Sequence, residues 1–342
     1  MTTHDAPLRV GLIGAGGIAG AHVKGYLANP GTTRLVAVAD PVEANAQRRA
    51  EPAGAATYSD YTEMLASADI DAVDICLPHH LHKDAIVAAA RAGKHILCEK
   101  PLCLSVDEAR EVQAAVHEAG VTLMCAHNQL FSPPVARALE LISAGVLGRV
   151  FEVRTTDSFF NDFNPETMGW RASAATSGGG ELIDTGYHPT YLLLQLAGGE
   201  PLEVTAMLST HRLKFMEGED SAQLLVRFDN GVLGSLVTSW AYAPSGNTER
   251  FSVVGELGSL HSDGKDLTYS LRTGEQGTLE FPRIDEFAAE IAHFADSVLG
   301  GTRPIHTEKE GIEVLGIILA AYRSAETRSF AEVRGVGAPA LA

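Results

Sequence analysis

The chain has 342 residues, 26 Lys+Arg against 43 Asp+Glu and a formal net charge of −17. That length predicts about two domains, and a content of 45% hydrophobic and 20% charged residues excludes wholesale disorder. The acid surplus argues against a nucleic-acid partner, which needs clustered Lys and Arg, and against adhesion to anionic membranes.

Residues 8–13 are a continuous apolar run, read as a buried strand, followed by a glycine turn and a helix over 17–28. Arg9 before 10–21 imitates a secretory signal, but the glycine spacing has another use, given below. Further strands are expected at 35–39, 72–77, 95–98 and 121–126, with Ala-rich helices at 83–92 and 106–119. Apolar strands alternating with helices predict an α/β domain with a parallel sheet covered on both faces. The pattern changes after Asn128. A helix is expected at 134–144, a strand at 149–159, and after Gly178-Gly179-Gly180 a helix reaching 196. From 202 to 281 the sequence alternates with period two, and Asp229-Asn230-Gly231 marks a hairpin. Helices at 283–299 and 308–326 follow. The second part therefore reads as α+β with a large, mostly antiparallel open sheet. The expected domains are 1–127 and 128–330, with a loose tail at 331–342. No apolar run reaches the ~20 residues of a membrane span. Four cysteines (Cys76, Cys98, Cys103 and Cys125) are too few for a disulfide framework, so a reducing, cytoplasmic setting is expected.

Gly14-Ala15-Gly16-Gly17-Ile18-Ala19 fits G-x-G-x-x-G/A between a strand and a helix. Gly14 permits the tight turn, Gly16 lets backbone N–H groups approach a pyrophosphate, and the helix N-terminus favours the anion. The second strand ends at Asp40, where a carboxylate meets ribose hydroxyls and repels a 2′-phosphate. NAD is therefore expected over NADP. Arg48 and Arg49 lie about two turns into the next helix and read as a solvated face. Glu99-Lys100-Pro101 follows the strand at 95–98, at a carboxyl strand end where ligands bind. Pro101 rigidifies that loop, with a cis bond as one option. Asp184 and His188 are four apart, which on a helix is one face, and a carboxylate beside a histidine suits proton transfer.

These segments, with 77–82 (LPHHLH) and Trp170-Arg171, resemble the glucose–fructose oxidoreductase / inositol dehydrogenase / rhizopine catabolism (Gfo/Idh/MocA) family in order along the chain. The resemblance spans residues 8 to 326 and implies a Rossmann domain followed by an α/β domain whose sheet often forms an oligomer interface. It implies a catalytic trio of Lys100, Asp184 and His188. His188 would take the hydroxyl proton, Lys100 would steady the alkoxide, and Asp184 would orient His188 or a neighbouring hydroxyl. Cofactor contacts are expected from Gly14, Ala15, Gly16, Gly17, Ile18, Asp40, Leu77, Pro78, His79, His82, Glu99, Lys100, Trp170 and Arg171. Substrate contacts are expected from Lys100, Asn128, Asp157, Asp184 and His188, with Asn161 and Asp162 nearby. The sequence departs from the family at Tyr191, where the family often has Asp three residues after the histidine. It departs again at Leu77, where Thr precedes the proline in the family.

The run His79, His80, His82 with Cys76 and Cys98 fits no zinc spacing, so no metal is expected. Trp240 and Tyr242 read as sheet packing. The expected function is NAD-dependent hydride transfer to or from a secondary alcohol of a sugar, polyol or inositol-like compound. The alternatives are an NAD-dependent glycosidase working through transient sugar oxidation and a non-catalytic sugar sensor. Residues 1–150 carry a net charge of −4 and 151–342 of −13, which favours a neutral substrate in the second domain.

Overall fold

The computed structural model describes residues 6–243 and 249–333, which fold as two compact units. Counted over those residues, the first is Met1–Asn128 with Asp285–Gly311, the second Gln129–Ile284 with Ile312–Ala342.

In the first unit, strands β1 (Leu8–Ile13), β2 (Thr33–Ala39), β3 (Ala56–Tyr58), β4 (Ala72–Ile75), β5 (His95–Glu99) and β6 (Leu123–Ala126) alternate with helices. The helices are α1 (Ala19–Ala28), α2 (Glu43–Ala50), α3 (Tyr61–Ser67), α4 (His82–Arg91) and α5 (Val106–Ala119). All strand pairs are parallel, in the order β3-β2-β1-β4-β5-β6. Every residue of β4 and β6 is buried, as strands covered on both faces require. The order reverses between β1 and β4, and the crevice at their carboxyl ends is where such sheets take ligands. The helix expected at 106–119 has those bounds because its ends are written locally. Ser105 accepts from the Glu108 N–H at the start, and Gly120 at φ 64° closes the end. The short edge strand β3 was not expected. Its residues form no apolar run, and backbone pairing to β2 holds it.

The second unit opens with α6 (Pro133–Ser143), β7 (Val150–Ser158) and the short helices α7 (Pro165–Met168), α8 (Ala174–Ser177) and α9 (Glu181–Asp184), then α10 (Tyr187–Ala197). Strands β8 (Pro201–Ser209), β9 (Ser221–Phe228), β10 (Leu233–Ser239), β11 (Phe251–Gly255), β12 (Gly258–Ser262), β13 (Leu267–Leu271) and β14 (Gln276–Leu279) follow. Next in the chain come α11 (Glu286–Gly300), which belongs to the first unit, then α12 (Glu308–Thr327) and β15 (Ala331–Glu332). The sheet runs β14-β13-β12-β11-β7-β10-β9-β8-β15, antiparallel except where β10 lies beside β7. The period-two pattern has its expected result on β9, where Leu224, Val226 and Phe228 are buried and Gln223, Leu225 and Arg227 exposed. Helix α10 packs on β7 and β10. The hairpin at Asp229-Asn230-Gly231 forms, with Gly231 at φ 86°.

Two boundaries differ from expectation. The segment 285–311, placed by sequence in a continuous second domain, belongs to the first unit. There Asn29, which ends α1, donates to the Ala288 carbonyl of α11 at 2.8 Å, and the Phe287 ring lies 5.3 Å from that of His22. The tail expected to be loose from 331 begins with a strand, because Ala331 and Glu332 pair with Val204 and Glu203 of β8. Residues 334–342 lie outside the described residues.

Candidate active site

In the first unit the glycine turn leaves β1 at Gly14, whose φ is 90°. A Cβ there would stand 2.6 Å from the Cys76 carbonyl oxygen, so conformation and packing both demand glycine. Helix α1 starts without a side-chain cap or an acidic residue in its first turn, which leaves its positive end for an anion. Asp40 follows β2. Its Oδ2 accepts from the Ala15 N–H at 2.8 Å and its Oδ1 from Val42 at 2.8 Å, tying the acid to the glycine turn. This cradle, open where a Cβ would fill it and carrying an acid at the ribose end, fits a dinucleotide such as NAD. Ala15, Gly16, Gly17 and Ile18 complete it.

Arg49 overturns the expected solvated face. Its Nη2 donates to the Gly16 carbonyl at 2.7 Å and to Gly17 at 3.3 Å, so α2 reaches back to the turn. Arg48 stays on the outer side, bonded to Asn45.

The opposite wall of the crevice is Leu77-Pro78, followed by a 3-10 turn over His79–Leu81. His82 is buried. Its Nδ1 lies 2.7 Å from the Pro101 carbonyl and its Nε2 2.8 Å from that of Leu77. It therefore joins the LPHHLH and EKP segments, while burial disfavours its charged form. The buried His79 ring lies 6.0 Å from it. The Lys100–Pro101 bond is cis. Glu99 turns one oxygen back to accept from the Lys100 N–H at 3.0 Å. Asn128 opens a 3-10 turn, Asn128–Phe131.

In the second unit, Gly180 carries the chain into α9 so close to Glu219 that a Cβ would stand 2.1 Å from its carbonyl oxygen. The single helix expected from 180 to 196 is broken between Asp184 and His188. Pro189 has no N–H to give Thr185, and the His188 N–H bonds the Thr185 carbonyl instead at 3.0 Å. The Gly186 N–H reaches back five residues to Glu181 at 2.9 Å, a wide turn of the kind found at functional sites. Asp184 thus ends one helix and His188 begins the next, and the shared helical face does not form as such.

Asp184 accepts from Arg171 Nε at 2.5 Å, and the Arg171 guanidinium lies 4.3 Å from the Trp170 ring centroid. His188 Nδ1 lies 2.8 Å from the Tyr191 hydroxyl, which accepts from the Gln129 N–H at 3.2 Å. The tyrosine that stands where the family often has Asp is therefore a direct partner of the histidine. Trp240, just past the end of β10, is buried in a cluster with Met168, Leu213 and Met216, whereas Tyr242, expected to pack on the sheet beside it, is 45% exposed. The Trp240 indole N–H also donates to Thr185 at 2.8 Å, steadying the residue after Asp184. Asp157 is held by Arg250 at 2.7 Å. The Asn161 carbonyl accepts from Arg212, and Asp162 is exposed beside it.

Two buried acids support the broken helix. Glu219 accepts from the Leu182 N–H at 2.9 Å, and burial pushes its pKa up to about 7. Glu181 accepts from Thr238 at 2.5 Å, and burial raises its pKa as well. Sequence reading missed Arg49 and Glu219. Neither sits in a motif, and only the fold brings them to the turns they hold.

The doubly wound sheet, its glycine turn and the acid after β2 define a dinucleotide-binding oxidoreductase domain. The chain belongs to the Gfo/Idh/MocA family: residues 8–127 match its oxidoreductase domain with NAD-binding Rossmann fold and 135–261 its C-terminal domain. It is similar to a 1,5-anhydro-D-fructose reductase of Ensifer adhaerens, with 30% identity over 95% of this chain and 98% of that one. It is also similar to a D-xylose 1-dehydrogenase (NADP(+)) of Haloferax volcanii, with 31% identity over 94% of this chain and 99% of that one. Among solved structures, levoglucosan dehydrogenase in complex with NADH and levoglucosan matches with a TM-score of 0.88 and 27% identity, covering 96% of this chain and 100% of that one.

Proposed function

We propose that this protein is an NAD-dependent dehydrogenase or reductase acting on a secondary alcohol of a sugar, polyol or inositol-like compound. Membership of the family along both domains carries the reading. Gly14 to Ile18 and Asp40 bind NAD, whose nicotinamide supplies the hydride acceptor or donor when bound. In the oxidative direction His188 takes the hydroxyl proton at Nε2, because Tyr191 holds Nδ1. Lys100 stabilises the charge that develops on the substrate oxygen. Asp184, fixed by Arg171, orients a neighbouring hydroxyl, and Asn128 and Asp157 add substrate contacts. Leu77, Pro78, His79, His82, Glu99, Trp170 and Arg171 shape the cofactor side. The net charge of −13 over 151–342 favours a neutral substrate.

The protein works in a cytoplasmic setting as a homo-oligomer through its second sheet. The face of that sheet turned away from the buried side chains exposes Met207 at 82%, Leu225 at 59% and Leu233 at 51%.

The test is a screen of sugars and polyols with NAD and NADP, followed by nicotinamide absorbance. Net NADH from a free polyol is expected. Aglycone release without net NADH would instead identify a glycosidase, and cofactor and sugar binding without turnover a sensor. Lys100→Met should abolish turnover with NADH binding retained. Full activity in that variant removes Lys100 from the chemistry.

A further inference from the structure

Beneath the cofactor turn the first unit buries an unusual set of polar groups. His22 and Tyr26 come from α1, Asp74 from β4, Glu99 from β5, and Glu290 from α11; Cys76 follows β4. His22 is 0% exposed and uses both ring nitrogens. Nδ1 lies 2.8 Å from Asp74 Oδ2 and Nε2 3.0 Å from Glu99 Oε1. Asp74 accepts in addition from Tyr26 at 2.9 Å and from the Cys76 thiol at 3.6 Å. Glu99 Oε2 accepts from the backbone N–H of Lys100.

We propose that His22 is a positioning residue for Lys100, acting as a doubly protonated imidazolium that fixes Glu99 and, through it, the Lys100 backbone. With both carboxyls ionised, an oxygen at each ring nitrogen requires two N–H donors, and a neutral ring would set a lone pair against one of them. Burial alone would lower the pKa of His22, but the charge and hydrogen bond of Asp74, with those of Cys76, outweigh that and raise it well above the ordinary value. The other groups facing the ring leave the charge to His22. Burial raises the pKa of Glu290, Cys76 and Tyr26, which disfavours the anion of each. Burial opposes the charge of Glu99, yet the His22 contact holds its pKa below the usual range. Glu286 lies one turn before Glu290 on the same helix. His22, Asp74 and Cys76 have the composition of a metal site, with ligand atoms within 4.8 Å of one another, but both His22 nitrogens are already committed.

The inference rests on the reading of Lys100 as the cation at the reacting oxygen. In histidine-labelled holoenzyme, nitrogen NMR should show both His22 ring nitrogens protonated from about pH 6 to about pH 9. The signal is assigned by its loss in His22→Gln. A neutral ring near pH 7 overturns the proposal. His22→Gln should lower kcat roughly tenfold or more while the NADH dissociation constant stays within about threefold. Wild-type kcat in that variant overturns it too. Where His22→Gln does not fold, Glu99→Gln replaces it in the kinetic arm, read as the same loss of kcat alone. Lys100→Met separates the two readings. If it retains turnover, the role of Lys100 fails. If it is inactive while His22→Gln keeps wild-type kcat, the role of His22 alone fails.

Discussion

Asp40 gives one oxygen to Ala15 and the other to Val42, so a single carboxylate both shapes the glycine turn and presents negative charge where the ribose is expected. Asp40→Ala should therefore weaken NAD roughly tenfold while NADP is weakened less, as loss of charged hydrogen bonds implies. Cofactor titrations followed by protein fluorescence check this, and an unchanged preference removes Asp40 from the cofactor site. Tyr191 raises a comparable question for His188. Removing its hydroxyl in Tyr191→Phe deletes a hydrogen bond of about 1 kcal/mol, roughly fivefold in rate. Steady-state kinetics should show that loss in kcat, with unfolding temperature little changed. The tight turn at Gly14 and the place of Asp40 at the end of β2 were legible in the sequence because each belongs to a short motif whose backbone context is local. Arg49 was not. Its role depends on how α2 lies beside the turn, and a lone arginine on a polar helix face carries no mark of that.

At the scale of elements, strong local signals predicted well. Helix α5 has a serine at its start and a glycine at its end, and β9 alternates from Ala222 to Phe228. The break between α9 and α10 was missed although Pro189 announces it. An i, i+4 pair suggested one helix, while the missing N–H three positions beyond Gly186 required two. The open face of the second sheet presents a test of assembly. Leu225 lies on β9 opposite Ser235 of β10 and Thr205 of β8, and is 59% exposed. Leu225→Glu puts a charge into the proposed interface. It should shift the protein to monomers by light scattering, with little effect on the folded protomer, because burial of an unpaired charge is costly. A mass unchanged from wild type argues against this face as the contact.

For the whole molecule, buried ionisable groups set how stability varies with pH. The pKa of Glu219 is raised by burial from 4.5 to about 7 on folding. Between those values the folded state holds the proton that the unfolded state releases. Stability therefore falls as pH rises through the window, by about 3 kcal/mol from this group. His306 acts with the opposite sign. Burial lowers it from 6.5 to about 4, so its share of stability rises with pH over that interval. Glu219→Gln, which keeps an acceptor for Leu182, should flatten the decline from about pH 5 to about pH 7 in denaturant titrations. An unaltered pH profile would mean that Glu219 is not protonated in the fold.

The return of residues 285–311 to the first unit also orders events during synthesis. A chain is made from its N-terminus, and an N-terminal domain ordinarily folds before the rest has emerged. Here the N-terminal sheet can pair its six strands once residue 126 has appeared. The helix that supplies Phe287 and Glu290, and the carbonyl that Asn29 needs, is made only after the entire second sheet except β15. The nascent first unit therefore waits, incomplete around His22, until more than three-quarters of the chain has been translated. The nucleotide-binding half is the first begun but is finished late, so its completion reports that the second sheet, β15 apart, has already been synthesised.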